Sequence, residues 1–478
     1  MFDEALSYDD VLLVPGYSDI LPRDCDISAV LCGDIRLNVP IISAAMDTVT
    51  EEKLAIAIAL EGGAGVIHRN LKPQEQADQV GSVKRFLNWI IEAPVTVAED
   101  AKIKDIKMMI NHYHISGFPV LDKEGKLIGI ITSRDLRFCK DDSLAVTDVM
   151  TRDPVMEQGT PSVASAREKF DKHRIEKLPV VDSNGFLTGL ITVKDMEKND
   201  LYPRAAVDRS GRLIVGAAVS PQDYTVRMPL LKNARVDFVV LDTAHGDSRN
   251  VMDAIRGIRK QFGIPVIGGN VVSREGTRRL IEAGADAVKV GIGPGSTCTT
   301  RVVAGIGVPQ FTAVWDCAEE ASRNGIPVIA DGGIKFSGDI SKAIGAGADT
   351  VMVGNLFAGL KEAPGHEIIF DGRIYKAYRG MGSMGAIEDG SGDRYQMSKD
   401  ETIAPEGIEG RLPYKGELKE FLQQLISGLR KGMGYCGCKN IEELKKYRHF
   451  VKITASGLKE SHPHDITITQ EAPNYSRS

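Results

Sequence analysis

Two stretches of this chain repeat one design, and they restrict its fold more than any other feature. "IPVIGGN" at 264–270 leads to "AGADAVKVGIG" at 283–293, and "IPVIADGG" at 326–333 leads to "AGADTVMVGNL" at 346–356. Each begins with an apolar, β-branched run, passes through a helix-like segment, and returns through Ala-Gly-Ala-Asp to a second apolar run. Strands apolar on both faces and joined by helices imply a parallel sheet covered on both sides. Such runs lie at 40–45, 65–68, 213–217, 238–242, 266–269, 287–291, 328–331 and 350–354. Eight is the strand number of a closed (β/α)8 barrel. The expected class is therefore α/β, a TIM barrel. An open doubly wound sheet is the alternative, but no dinucleotide fingerprint supports it.

A second repeat interrupts the first between its second and third strands. "ISGFPVLDKEGKLIGIITSRDL" starts at 115 and "IEKLPVVDSNGFLTGLITVKDM" at 175, 60 residues on. Both copies read as strand, Gly-containing turn, strand and helix start, with Ser or Thr and Asp near the cap. A duplicated unit of this size forms a pseudo-symmetric pair. The expected division is 1–91 for the first part of the barrel, 92–200 for the inserted module and 201–478 for the rest.

The 478 residues exceed one simple core. A net charge of −6 gives no electrostatic support to nucleic-acid or membrane-surface binding, and no apolar run is long enough to span a bilayer. The start, "MFDEALSYDDVLLVPG", has acids where a signal peptide needs basic residues. Seven scattered cysteines suit free thiols in a reducing compartment, which points to the cytoplasm. The stretch 363–415 is rich in Gly and charge with little periodicity, and reads as a functional flap or a disordered segment. The polar end, "ESHPHDITITQEAPNYSRS", reads as an arm over a neighbour or a loose tail.

Catalytic groups of such barrels lie on loops after the strand C-termini. "GIGPGSTCTTR" follows the sixth strand, which puts Cys298 on that face; a thiol there is a candidate nucleophile rather than a small residue filling a turn. "DGG" at 331–333 and "GN" at 354–355 follow strands seven and eight, where backbone N–H groups often bind phosphate. With "YRGMG" at 378–382 they indicate a phosphorylated ligand whose ribose Asp331 would bind. Asp242, in "DTAHGDS", would accept from a second ribose, while His245 suits a local hydrogen bond better than catalysis. "HPHD" at 462–465 and "CGC" at 436–438 lack a complete zinc ligand set.

Taken together, "GIGPGSTCTTRVVAGIGVPQ", "ADGGIKFSGDI", "VGNLFAG", "YRGMGSMGA", "DRY" and "PEGIEGRLPYKG" resemble the IMP dehydrogenase / GMP reductase family, in particular its bacterial-type dehydrogenases, over almost the whole chain. The duplicated module resembles a tandem CBS (Bateman) pair. The cysteine loop also suits GMP reductases; the CBS pair and the Arg-Tyr of the long segment favour the dehydrogenases. The resemblance implies NAD-dependent oxidation of IMP to XMP in guanine nucleotide synthesis. Cys298 would attack C2 of the purine to give, after hydride loss, a covalent thioimidate. Arg394, beside Tyr395, would activate water, with Thr300 assisting. Ser296, Asp331, Gly332, Gly333, Gly354, Asn355, Tyr378, Arg379, Gly380, Met381, Gly382 and Glu406 would hold IMP. Asp242, Gly291, Ile292 and Gly293 would line the NAD site. Potassium would sit on carbonyls of Gly293, Gly295 and Cys298, completed by Glu460, Ser461 and His462 of a neighbouring subunit in a homotetramer that could pair into an octamer. Asp135 and Asp195 would contact the ribose of an adenine or guanine nucleotide. Thr297 stands where many members have Ile. The rivals are a GMP reductase and a nucleotide sensor on an inactive barrel.

Overall fold

The computed structural model describes residues 4–113, 115–137, 139–159, 161–391, 404–470, 472 and 475. The chain divides into two compact units, Met1–Phe86 with Arg204–Ser478, and Leu87–Pro203. The first is the barrel. Its strands are β1 (Ile41–Ser43), β2 (Ala64–Ile67), β3 (Val215–Val219), β4 (Phe238–Asp242), β5 (Val266–Val271), β6 (Ala287–Val290), β7 (Val328–Asp331) and β8 (Thr350–Val353). All pair in parallel, and β8 closes on β1. The open doubly wound sheet is thereby excluded. The third strand runs two residues later than the apolar pattern suggests, because Leu213 bridges to Val207 and the Ile214 N–H bonds Ala206 before the barrel ladder begins.

Eight helices surround the strands: α1 (Glu52–Leu60), α2 (Pro73–Phe86), α3 (Tyr224–Asn233), α4 (Arg249–Phe262), α5 (Arg274–Glu282), α6 (Gln310–Ser322), α7 (Ser337–Gly345) and α8 (Leu418–Cys436). Their apolar stripes recur at helical spacing; α8 buries Leu418, Leu422, Leu425, Leu429 and Met433. The repeated Ala-Gly-Ala-Asp now has a physical meaning. Asp286, just before β6, accepts the first N–H of β5 at 2.8 Å, and Asp349, before β8, accepts that of β7 at 2.8 Å. Asp237 does the same for β3. Each aspartate ties the open end of one strand to its neighbour, so an orphan donor is satisfied at the base of the barrel. That base is plugged by the hairpin Ala29–Cys32 and Ile35–Leu37, whose Leu31, Cys32 and Leu37 pack on Phe238, Val240, Ile267 and Ile329.

The stretch after β8 corrects an expectation. It forms a three-stranded antiparallel sheet of Glu367–Phe370, Arg373–Arg379 and Glu409–Pro413. Asp371 and Gly372 make its first turn with φ of 49° and 68°, the left-handed pair a two-residue hairpin requires. Residues 392–403 of the expected flap, with Arg394 and Tyr395, lie outside the described residues. Ahead of the polar end, Phe450–Lys452 pairs with Val11–Leu13, and Ala455–Ser461 is a helix.

Within Leu87–Pro203, Gly117–Leu121 pairs with Leu127–Thr132 as Lys177–Val181 pairs with Leu187–Thr192, each 60 residues on. Asp122 and Asp182 cap the two turns identically, each accepting two backbone N–H groups. Trp89 and Ile90 pack in the core of the second half, so the compact unit starts before residue 92. Among the described residues no helix is long and apolar enough to cross a membrane.

Candidate active site

The loops above β1 and β4–β8 enclose one cavity of about 590 Å³. Cys298 lies on the loop between β6 and α6, half-buried, and lines it. Backbone bonds hold this loop from two sides. The Cys298 N–H turns back to the Gly295 carbonyl at 3.1 Å, while Thr299 N–H donates to Glu406 and Ile408 N–H donates to Thr297. The second pair brings the segment before Glu409–Pro413 onto the cysteine loop.

The consequence is a short polar chain. Cys298 Sγ lies 3.1 Å from Thr300 Oγ1, which donates to Glu406 Oε2 at 2.6 Å. A proton leaving the thiol therefore has an acceptor two bonds away. Burial pushes the thiols of Cys25, Cys32 and Cys436 up, that of Cys438 to about 11 and that of Cys317 to about 12, which keeps those five protonated and inert.

Next to the thiol, Asn355 Nδ2 donates to Ser296 Oγ at 2.7 Å, and Tyr378 OH lies 3.5 Å from the same oxygen. Burial raises the Tyr378 pKa, so the phenol stays a neutral donor. Gly332, at φ 95°, keeps a conformation that side chains resist, and a Cβ there would stand 2.8 Å from Pro294. The tyrosine and serine hydroxyls, the asparagine amide and the glycine backbone make a donor-rich wall suited to an anion.

Two strand-end carboxylates share this lining. Asp331 ends β7 and Asp242 ends β4, and both line the cavity with Asn270, Gly291, Ile292 and Gly293. Two buried polar atoms on the lining, Tyr8 OH and Gln310 Oε1, have no hydrogen-bond partner among the described residues. Such orphans are costly unless a ligand satisfies them, and they fit a polar molecule in this cavity. The two aspartates also fit a second ligand rich in hydroxyl donors, as the ribose of a dinucleotide is.

Of the residues expected to bind IMP, Ser296, Asp331, Gly332, Gly333, Gly354, Asn355, Tyr378, Gly380, Met381, Gly382 and Glu406 meet on this lining. Arg379 does not: it grips Asp47 and Asp389, each at 2.6 Å, and anchors the end of the middle strand of the three-stranded sheet. Gly293, Gly295 and Cys298 lie together on the loop, but Ser461 and His462 contact Gly457, Phe336 and Tyr475 of their own chain. Within the other unit, Asp135 and Asp195 accept from the hydroxyls of Thr132 and Thr192 at 2.7 and 2.6 Å. His245 is exposed. Sequence reasoning missed Lys289, Asn270, Tyr8 and Gln310. Lys289 had a signal, a lone charge inside the apolar run "AVKV".

A family profile described as IMP dehydrogenase / GMP reductase domain matches residues 5–464. The chain is 54% identical to the inosine-5′-monophosphate dehydrogenase of Halalkalibacterium halodurans, over 99% of this chain and 98% of that one. It is 52% identical to that of Bacillus subtilis, over 99% and 98%. Among solved structures, a cysteine-to-alanine variant of GMP reductase from Trypanosoma brucei, in complex with guanosine 5′-monophosphate, superposes with a TM-score of 0.83 at 38% identity. The match covers 98% of this chain and 99% of that one, so it takes in the inserted unit. That unit therefore does not separate dehydrogenases from reductases, contrary to the expectation from sequence.

Proposed function

The chain belongs to the IMP dehydrogenase / GMP reductase family, and on that premise we propose that its barrel mouth oxidises IMP to XMP through a covalent bond to Cys298. The observation that carries this reading is the Cys298–Thr300–Glu406 chain of 3.1 and 2.6 Å in a cavity with a donor-rich wall. The dehydrogenase reading is favoured over the reductase by relatives at 54% and 52% identity against one at 38%. An intact thiol relay also argues against an inactive barrel serving only as a sensor platform.

Ser296, Asn355, Tyr378 and the backbone at Gly332–Gly333 take the phosphate, and Asp331 takes the ribose hydroxyls. These contacts place C2 of the purine at Cys298. The thiol proton passes to Glu406 through Thr300, and the thiolate adds to C2. Asp242 and the backbone of Gly291–Gly293 would hold NAD, which would supply the acceptor for the hydride leaving C2 with its electron pair. The product on Cys298 is a thioimidate. Water then adds at C2 and the C2–S bond breaks, which returns the thiol and releases XMP. Arg394, beside Tyr395, is assigned to the activation of that water, and Glu406 returns its relayed proton through Thr300 to the departing thiolate. Carbonyls of Gly293, Gly295 and Cys298 would hold a potassium ion that keeps the glycine loop in one shape, with Glu460, Ser461 and His462 supplied by a neighbouring copy. Leu87–Pro203 is read as a Bateman module for an adenine or guanine nucleotide. The whole reading places the enzyme in the cytoplasm.

A steady-state assay decides the reaction. The purified protein should form NADH from IMP and NAD. Consumption of NADPH with GMP, and no turnover of IMP, would identify a reductase instead.

A further inference from the structure

Lys289 is the charged side chain most deeply set in the barrel, 1% exposed. It stands on β6, and its ammonium donates to Asp331 Oδ2 on β7 at 2.6 Å, to Asn270 Oδ1 on β5, and to Asp242 Oδ1 on β4 at 3.4 Å. The register explains how one side chain spans four strands. Asp242 pairs with Gly269, and Gly269 pairs with Lys289, so the three share one row across the sheet. Gly269 leaves the row open: a Cβ there would lie 2.7 Å from the Cβ of Lys289. Asn270 completes the set, donating from Nδ2 to Asp331 Oδ2 at 2.9 Å and to the Gly291 carbonyl at 2.7 Å.

Asp331 Oδ2 thus receives two donors from inside the barrel, which leaves Oδ1 to face a ligand in the cavity that Asp331 lines. Without the ammonium, two carboxylates would face each other across the barrel mouth and repel. An ammonium this deeply buried is in turn tolerated only with such partners.

We propose that Lys289 is a positioning residue that joins the acceptor of the mononucleotide ribose, Asp331, and that of the dinucleotide ribose, Asp242, into one unit. The inference rests on the reading of those two aspartates given above. It makes the affinity for IMP depend on Lys289 and on the charge of Asp242, although neither residue touches IMP.

The test is calorimetric binding of IMP and of 2′,3′-dideoxy-IMP, both without NAD, so that no turnover intervenes. Lys289→Met keeps the length of the side chain and removes the charge. It should weaken IMP by about tenfold or more, on the order of 1.4 kcal/mol, and weaken the dideoxy analogue by less than about twofold, ~0.4 kcal/mol. Asp242→Asn, which leaves the lysine in place, should also shift IMP binding and spare the analogue; it serves if the methionine variant does not fold. Equal losses for both nucleotides would make the lysine a packing element and overturn the inference alone. A wild type that binds both nucleotides equally would remove the ribose role of Asp331, and with it both this inference and that part of the functional reading.

Discussion

Cys298 and Lys415 illustrate how one side chain's surroundings set its chemistry. In the proposed reaction Cys298 is the nucleophile, while phosphate and ribose contacts supply most of the affinity. Cys298→Ala should abolish turnover yet leave IMP binding within about tenfold, or ~1.4 kcal/mol; full activity in a steady-state assay would refute the covalent route. Arg394→Ala should give one burst of NADH, stoichiometric with active sites, and then stall with an adduct on Cys298 visible by intact mass. A lost general base slows its own step by about 10²–10⁴-fold, enough to separate the two half-reactions; absence of both burst and adduct would move Arg394 to the first. Lys415 lines the same cavity, and burial pushes its ammonium down to about 8. The unfolded chain keeps an ordinary lysine value near ~10.4. Below pH 8 both states are charged and folding bears the full desolvation cost. Between the two values the folded protein binds fewer protons, so stability rises with pH. The Tm of the ligand-free protein should therefore rise from pH 8 to 10 relative to Lys415→Met. A constant difference between the two curves would contradict this.

At the level of elements, the anchoring of the barrel strands on either side of the inserted unit decides what its removal does. Lys84, near the end of α2, bonds Asp208 at 2.9 Å and Asp237 at 2.8 Å. Beyond the insertion, the Ala206 N–H bonds the Ala59 carbonyl and Asn38 Nδ2 bonds the Arg204 carbonyl. All of these partners belong to the barrel unit. Replacing 87–203 by a short linker should therefore leave a folded enzyme with kcat within about threefold of the parent, since no residue named for the IMP, NAD or potassium sites is lost and distant surface changes are worth little. Response to ATP or GTP should disappear. Unfolding by circular dichroism, or a surviving nucleotide response, would show the barrel and insert to be less separable. The barrel strands were legible because burial on both faces leaves an uninterrupted apolar run. The sheet of Glu367–Phe370, Arg373–Arg379 and Glu409–Pro413 was not. Its first strand is largely exposed and its third starts 30 residues after the second ends, so neither apolar alternation nor proximity marks the set.

For the whole molecule, the proposed potassium set gives the prediction. One chain would supply loop carbonyls, while its own Ser461 and His462 face Phe336, Tyr475 and Gly457. The reading therefore requires a second copy. Sedimentation should show a tetramer or larger, and truncation after Lys459 should remove potassium activation while the barrel stays folded. Potassium dependence surviving in the truncated protein would place the ion elsewhere. The sequence by itself determined what local order encodes: eight two-faced apolar strands, a duplication at a spacing of 60 residues, and a thiol on a loop at a strand's C-terminal end. Chain direction carries that last point, because parallel strands send all such loops to one face. Only the tertiary structure decided which side chains meet there. Thr300 reaches Glu406 across 106 residues, and Lys289 reaches Asp242 and Asp331 across 47 and 42. A strand's alternation says that a residue points inward. Which inward residues share a layer depends on the stagger between strands once the barrel closes, and no single strand contains that information.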